Sequence, residues 1–163
     1  MALLEPELNA SSTEASGVRV PPPLFYIAGF LLGVAIELAV PIDRPPLAIT
    51  VLGIAIGLGG WLALDGTAMF AFIRARTSMV PMRPSSALVT TGPYRFSRNP
   101  MYLGMVFLYI AFAFALGLVW PLAVLPFVIA AVDQLVIAIE EAYLVRRFGQ
   151  PYCDYMATTR RWL

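Results

Sequence analysis

The sequence predicts an all-α fold, a polytopic membrane helix bundle of about four transmembrane helices followed by a C-terminal cytoplasmic amphipathic helix. Three observations carry this reading. The chain of 163 residues is 60% apolar and only 13% charged, whereas a soluble domain is about 45–50% apolar and about 25% charged. Its mean hydropathy is +0.78. Its charges also avoid long apolar runs, each of a length that suits a bilayer crossing. A net charge of +1 leaves no field for a polyanion, so nucleic-acid binding is excluded.

Residues 1–23 read as a flexible cytoplasmic tail, with Glu5, Glu7, Glu14 and Arg19 among small polar residues and the stiff run Pro21-Pro22-Pro23 at its end. Its acidic start and late apolar stretch do not fit a signal peptide. Residues 24–163 form one domain. The first span is 24–40, and a short polar turn with Asp43 and Arg44 leads to the second, 47–73. Within that span Gly53, Gly57, Gly59 and Gly60 mark a helix-packing face rather than a phosphate loop, because no strand precedes them.

Residues 74–100 carry Arg74, Arg76, Arg83, Arg95 and Arg98 and no acid. The run 101–132 holds no charge. As one helix it would be about 48 Å long, against a hydrocarbon core of about 30 Å. It therefore folds back, with a hairpin at Gly117 to Pro121 between a third span, 101–116, and a fourth, 118–139. Residues 140–163 leave the membrane as a charged amphipathic segment broken at Gly149-Gln150-Pro151, where glycine suits a helix end and proline a restart.

Arginine asymmetry orients the bundle. The tail, the 74–100 loop and the C-terminal segment hold ten of the eleven basic residues, all arginine, and the opposite side holds Arg44 alone. Both termini and the loop are thus placed on the cytoplasmic side, and a bacterial inner membrane is expected.

The missing residues narrow the chemistry. Without histidine there is no Ser-His-Asp triad, Cys-His pair or imidazole metal site, and without lysine no Schiff base. The lone Cys153 allows neither an intrachain disulfide nor a thiolate cluster. No metal is expected. Any general base must be a carboxylate, a tyrosine, Cys153, water or the substrate.

Three acids fall in or near the spans, where burial costs a few kcal/mol or more. Glu37 sits near a span end and reads as reaching the headgroups. Asp65 is placed to meet Arg74 or Arg76, or to serve a function. Asp133, Val136, Ile137, Glu140 and Arg147 recur at helical spacing, so one face would carry two acids and an arginine toward a polar cavity.

The segment from Ala87 to Gly104 is dense in special residues. Gly92-Pro93 makes a turn, and Asn99-Pro100 reads as an N-cap with proline at the first helical position. A helix start does not account for Tyr94, Arg95, Arg98 and Tyr102 gathered at the membrane surface. Free N–H groups beside two guanidiniums suit a carboxylate or phosphate, and the aromatic rings suit a planar base or a cation. The adjacent acids Glu140 and Glu141 suit an amine or ribose hydroxyls. A ligand that carries a carboxylate, an amine, a cationic centre and an adenine would use all of these groups, and S-adenosyl-L-methionine is one.

The run Gly92-Pro-Tyr-Arg-Phe-Ser-Arg-Asn-Pro-Met-Tyr-Leu-Gly104, followed by Glu140-Glu141 and then by Phe148-Gly149 with Tyr152 and Tyr155, resembles the isoprenylcysteine carboxyl methyltransferase and phospholipid methyltransferase superfamily over roughly residues 47–163. The resemblance implies a small helical membrane enzyme that binds S-adenosylmethionine at its cytoplasmic end, with a cofactor loop at 83–104. It implies that Ser86, Ala87, Leu88, Val89, Tyr94, Asn99, Pro100, Met101 and Tyr102 line the cofactor pocket, with Glu140 as the contacting glutamate and Glu141 completing the pair. Arg98 matches an arginine of the eukaryotic members, and Arg98 and Glu140 are the expected catalytic residues. Asn99 and Ser86 replace histidines, and Val136 replaces a substrate-binding arginine of the prenylcysteine enzymes.

The expected activity is methyl transfer, within the S-adenosylmethionine-dependent class, to a lipid-like or isoprenoid acceptor with a carboxylate, thiol or amine. Positioning and electrostatics would do the catalytic work. Two other readings use the same residues. One is an NADPH-dependent membrane reductase similar to sterol reductases, its arginines serving a 2′-phosphate. The other is a non-enzymatic membrane subunit or solute carrier.

Overall fold

The computed structural model describes residues 18, 20–75 and 87–163. Ser86 and most of the N-terminal tail lie outside the described residues, as do Arg76 and Arg83. Five helices follow one another, α1 (Pro22–Ala39), α2 (Leu47–Ala75), α3 (Pro100–Leu116), α4 (Trp120–Phe148) and α5 (Gln150–Thr158). Among the described residues no strand occurs. Helices α1, α2 and α4 are long and apolar enough to cross a membrane, and α3 is a shorter apolar helix of 17 residues. The protein is a helical membrane bundle.

Proline opens α1, α3, α4 and α5, where its missing N–H costs nothing and its fixed φ favours the first turn. The turn between α3 and α4 is set by Gly117, whose φ of +66° is left-handed backbone that other residues avoid. Its N–H and that of Leu118 donate to the last carbonyls of α3, at 3.0 Å to Phe114 and 2.9 Å to Ala113, and so close the helix end.

Glycines let the helices approach. A methyl at Gly57 would stand 2.7 Å from Ala111, and one at Gly60 2.6 Å from the Phe107 ring, so the glycine face of α2 is the seam with α3. Gly33 plays the same part between α1 and α4, with the Pro121 backbone 2.5 Å from where its Cβ would be. These contacts supply the close van der Waals packing that membrane helices depend on.

The end of the bundle away from the 87–99 loop is tied off by Glu37. This residue does not reach for the headgroups. It is buried, and its carboxylate accepts N–H bonds from Ile42 at 3.0 Å, Val119 at 2.9 Å and Trp120 at 3.0 Å. It therefore caps the start of α4 from another helix, meeting the free N–H groups that every helix start leaves. The Trp120 indole donates to the Val40 carbonyl at 2.7 Å, and the Arg44 side chain lies against Gly117.

Helix α4 does not end at the membrane exit. It runs unbroken to Phe148, and Gly149, at φ +61°, then separates it from α5. Inside it Asp133–Ile137 forms a π-bulge. In a regular helix Asp133 and Glu141 would point about 80° apart, and the one-residue excess of the bulge brings them onto one face. This re-phasing overturns the expected acid face. Val136 and Ile137 are wholly buried in the apolar core, and Asp133 pairs with the side of α4 that carries Glu141 rather than Glu140.

Candidate functional site

The site lies at the opposite end from Glu37, where the 87–99 loop, the start of α3, the end of α4 and the segment 159–163 meet. Gly92, at φ +63°, opens a 3-10 turn, Gly92–Arg95, that drives the Tyr94 ring inward against Phe72, with centroids 5.5 Å apart. Val89 and Tyr94 are buried with Ala68 and Ala71 of α2 and Tyr152 and Tyr155 of α5, and Leu88 and Met101 pack against this cluster. The Tyr155 hydroxyl donates to the Tyr94 carbonyl at 2.6 Å. Burial pushes the Tyr155 hydroxyl up to about 12 against the pull of Arg98. Burial, then the charges of Tyr155, Asp65 and Glu140, push the Tyr94 hydroxyl higher still. Both phenols therefore stay neutral donors.

The C-terminal segment straps the loop down. The Arg98 N–H donates to the Arg160 carbonyl at 2.9 Å. The Asn99 side chain donates to the Arg161 carbonyl at 3.0 Å, and the buried Ser97 hydroxyl to the same oxygen at 3.3 Å. Asn99 is thus not a side-chain cap of α3. Its amide is already engaged by the strap, while its own N–H is met by Ser97 Oγ at 3.1 Å. Pro100, fully buried, starts the helix alone.

The acidic pair divides. Glu141 is neutralised, with Arg98 Nη2 at 3.0 Å and the Arg161 guanidinium gripping both carboxylate oxygens, at 3.2 Å through Nε and 2.5 Å through Nη2. Arg161 also reaches Asp133 at 3.0 Å, and the Trp162 indole donates to the other Asp133 oxygen at 2.9 Å. Its hydrogen bonds to Glu141, ahead of the two acidic charges, hold Arg161 protonated beyond the ordinary arginine range. Glu140 faces the other way. Its two oxygens accept from the Tyr102 hydroxyl at 2.8 and 2.9 Å, and the Tyr102 carbonyl in turn accepts the Tyr26 hydroxyl at 2.9 Å.

The structure therefore brings Arg98, Tyr102, Glu140 and Glu141 together, and gathers Leu88, Val89, Tyr94 and Met101 in the adjoining apolar cluster. Ala87 begins the described part of the loop. Among the described residues two buried side-chain atoms have no hydrogen-bond partner, Arg98 Nε and Asp65 Oδ2. A sealed, unmatched guanidinium donor is costly unless an anion meets it. On the other side of Tyr26 an apolar groove of about 390 Å³ runs between α1 and α3, bordered by Phe30, Met105, Tyr109 and Phe112.

Sequence reasoning missed Ser97, Tyr155, Arg161 and Trp162. A signal existed for the last two. Residues 155–163 hold two arginines and an indole but no acid, so their partners had to come from elsewhere, and the unclaimed acids were those of α4.

A protein of Haemophilus influenzae described as uncharacterized is 40% identical over 65 residues, which make up 39% of this chain and 100% of that protein. Residues 48–151 match the phospholipid methyltransferase family, a stretch that takes in α2, the loop, α3, α4 and the first residues of α5. A membrane bundle with this loop and acidic pair in this order, matched over most of its length, belongs to the phospholipid methyltransferase family.

Proposed function

We propose that the protein is an S-adenosylmethionine-dependent methyltransferase of a bacterial inner membrane, acting on a hydrophobic acceptor dissolved in the bilayer, with its site at the cytoplasmic end. The observation that carries this reading is the split of the acidic pair. Arg98 and Arg161 neutralise Glu141, whereas the half-buried Glu140 carboxylate is held, among the described residues, by a neutral phenol.

The residues present fit the cofactor. The unmatched Arg98 Nε suits a ligand carboxylate, and Glu140 suits an amine or hydroxyls. Leu88 and Met101, only partly buried at the edge of the tyrosine cluster, suit a planar base. In this reading Val89, Tyr94, Asn99 and Pro100 shape the pocket wall from behind, and Ala87 extends it along the loop.

Bound there, the cofactor supplies an electrophilic methyl group on a sulfonium. The protein's own work is placement. Tyr102 fixes the Glu140 carboxylate in one orientation, Tyr26 fixes Tyr102, and the strap through Arg161 holds Arg98 and the loop against α4. Such pre-set geometry is worth several kcal/mol of barrier in general. The apolar groove beside Tyr26 offers a lateral way in from the lipid for an acceptor's chain.

The test is calorimetry on the purified protein with S-adenosylmethionine, with NADPH as the control ligand and Glu140→Ala as the control protein. The expected result is saturable binding of S-adenosylmethionine that the substitution abolishes. Binding of NADPH instead would favour a reductase, and binding of neither would leave a membrane subunit.

A further inference from the structure

Among the described residues, Asp65 is the helix acid with a carboxylate oxygen that no donor meets. It projects from α2 toward α3 into the space left by Gly104, and a Cβ at 104 would fall directly on Oδ2. That oxygen is sealed from solvent and meets no donor. A carboxylate in a span costs several kcal/mol, and glycine in a helix costs about 1 kcal/mol relative to alanine. The other acids of the helices have that cost offset. Glu37 takes three N–H bonds, Asp133 and Glu141 take guanidinium and indole donors, and Glu140 takes a phenol.

The chain has neither histidine nor lysine, and Tyr94 and Tyr155 are held as neutral phenols. Of the side-chain bases named above, the carboxylates and Cys153 remain at this end. Asp65 packs against Gly104, two residues along α3 from the Tyr102 that holds Glu140, so the two acids approach the same turn of α3 from α2 and from α4.

We propose that Asp65 is the proton acceptor of the methyl transfer, and that the methyl acceptor is an uncharged protic nucleophile, an amine, thiol or hydroxyl, presented from the bilayer. This rests on the methyltransferase reading above. In the step, the lone pair of the nucleophile forms the bond to the methyl carbon. The carbon–sulfur bond breaks with its electron pair staying on sulfur, and the proton of the nucleophile passes to the Asp65 carboxylate. An acceptor that is already a carboxylate would need no base and would be repelled by Asp65.

The test uses the full chain in vesicles made from total bacterial membrane lipid. Dicyclohexylcarbodiimide, a lipid-soluble reagent for carboxyls, is added and the modified residue is read by peptide mass. Labelling of Asp65, with Glu37 and Glu141 spared, is expected, and an unlabelled Asp65 would overturn the proposal. In parallel, methyl transfer from radiolabelled S-adenosylmethionine to extractable lipid is measured.

Asp65→Asn keeps the shape and removes the base. It should bind S-adenosylmethionine as the wild type does and lose about 100-fold or more in transfer. Gly104→Ala keeps the acid but displaces its oxygen, and should lose about 10- to 100-fold. Wild-type transfer in Asp65→Asn overturns the proposal, as does a wild type that binds S-adenosylmethionine yet methylates no protic lipid. If the wild type binds no S-adenosylmethionine, the methyltransferase reading falls and the proposal falls with it. Calorimetry and labelling together show which of the two claims has failed.

Discussion

The two ends of the bundle treat buried polar groups in opposite ways. At the Glu37 end that carboxylate takes three N–H bonds, and the Trp120 indole finds the Val40 carbonyl. At the other end Arg98 Nε and Asp65 Oδ2 are sealed with no partner among the described residues, and Glu140 is held by a phenol. Satisfied polar groups fix a structure, whereas unsatisfied ones hold binding capacity in reserve. An acid inside a membrane protein therefore says little until its partners are counted. Glu37 and Glu140 look alike in sequence, yet Glu37 meets three backbone N–H groups and Glu140 meets a phenol.

That contrast can be broken or sharpened at several residues. The largest effect is expected at Arg161, which holds Glu141 and Asp133 together. Arg161→Ala should cost about 1–2 kcal/mol of stability, discounted because the guanidinium is 35% exposed. Thermal unfolding in detergent reads this directly, and Arg161→Lys should restore only part of it because an ammonium cannot grip both carboxylate oxygens.

Tyr102→Phe should leave the fold intact and weaken S-adenosylmethionine binding about tenfold, the equivalent of one hydrogen bond to a charged group. Unchanged affinity by calorimetry would mean that Tyr102 does not orient Glu140 for a ligand. The smallest effect belongs to the Glu37 end. Gly117→Ala forces a side chain into left-handed backbone and should lower stability by about 1 kcal/mol with no change in ligand affinity. A change in affinity there would argue that the two ends are coupled.

Much of the fold was legible because bilayer physics constrains sequence strongly. The uncharged run 101–132 could only fold back, and Gly117 marked where. Gly53, Gly57 and Gly60 of α2 announced the seam with α3, whereas Gly59, expected on the same face, meets nothing there. Residues whose partners are remote in sequence were less legible. Glu37 meets N–H groups 82 and 83 residues away. The π-bulge at Asp133–Ile137 carries no local sequence mark, yet it decides which acids share a face. Asn99-Pro100 marked a helix start correctly, but the side chain expected to cap it was claimed by Arg161, which a local reading does not see. Motifs singled out Glu140 and Arg98, but which acid of the pair meets the guanidiniums was not legible, because the neutralisation of Glu141 depends on the strap.

The central claim is that one end of the bundle is closed and the other is kept open for a ligand. The most direct test measures thermal unfolding and S-adenosylmethionine affinity for Glu37→Gln and Glu140→Gln in parallel. The account predicts that Glu37→Gln lowers the Tm by several degrees and binds as the wild type does. It predicts that Glu140→Gln keeps a near wild-type Tm and raises the Kd about 100-fold, as expected for losing a buried charged contact. A Glu140→Gln protein that binds normally but unfolds early would make Glu140 a second clamp and contradict the claim.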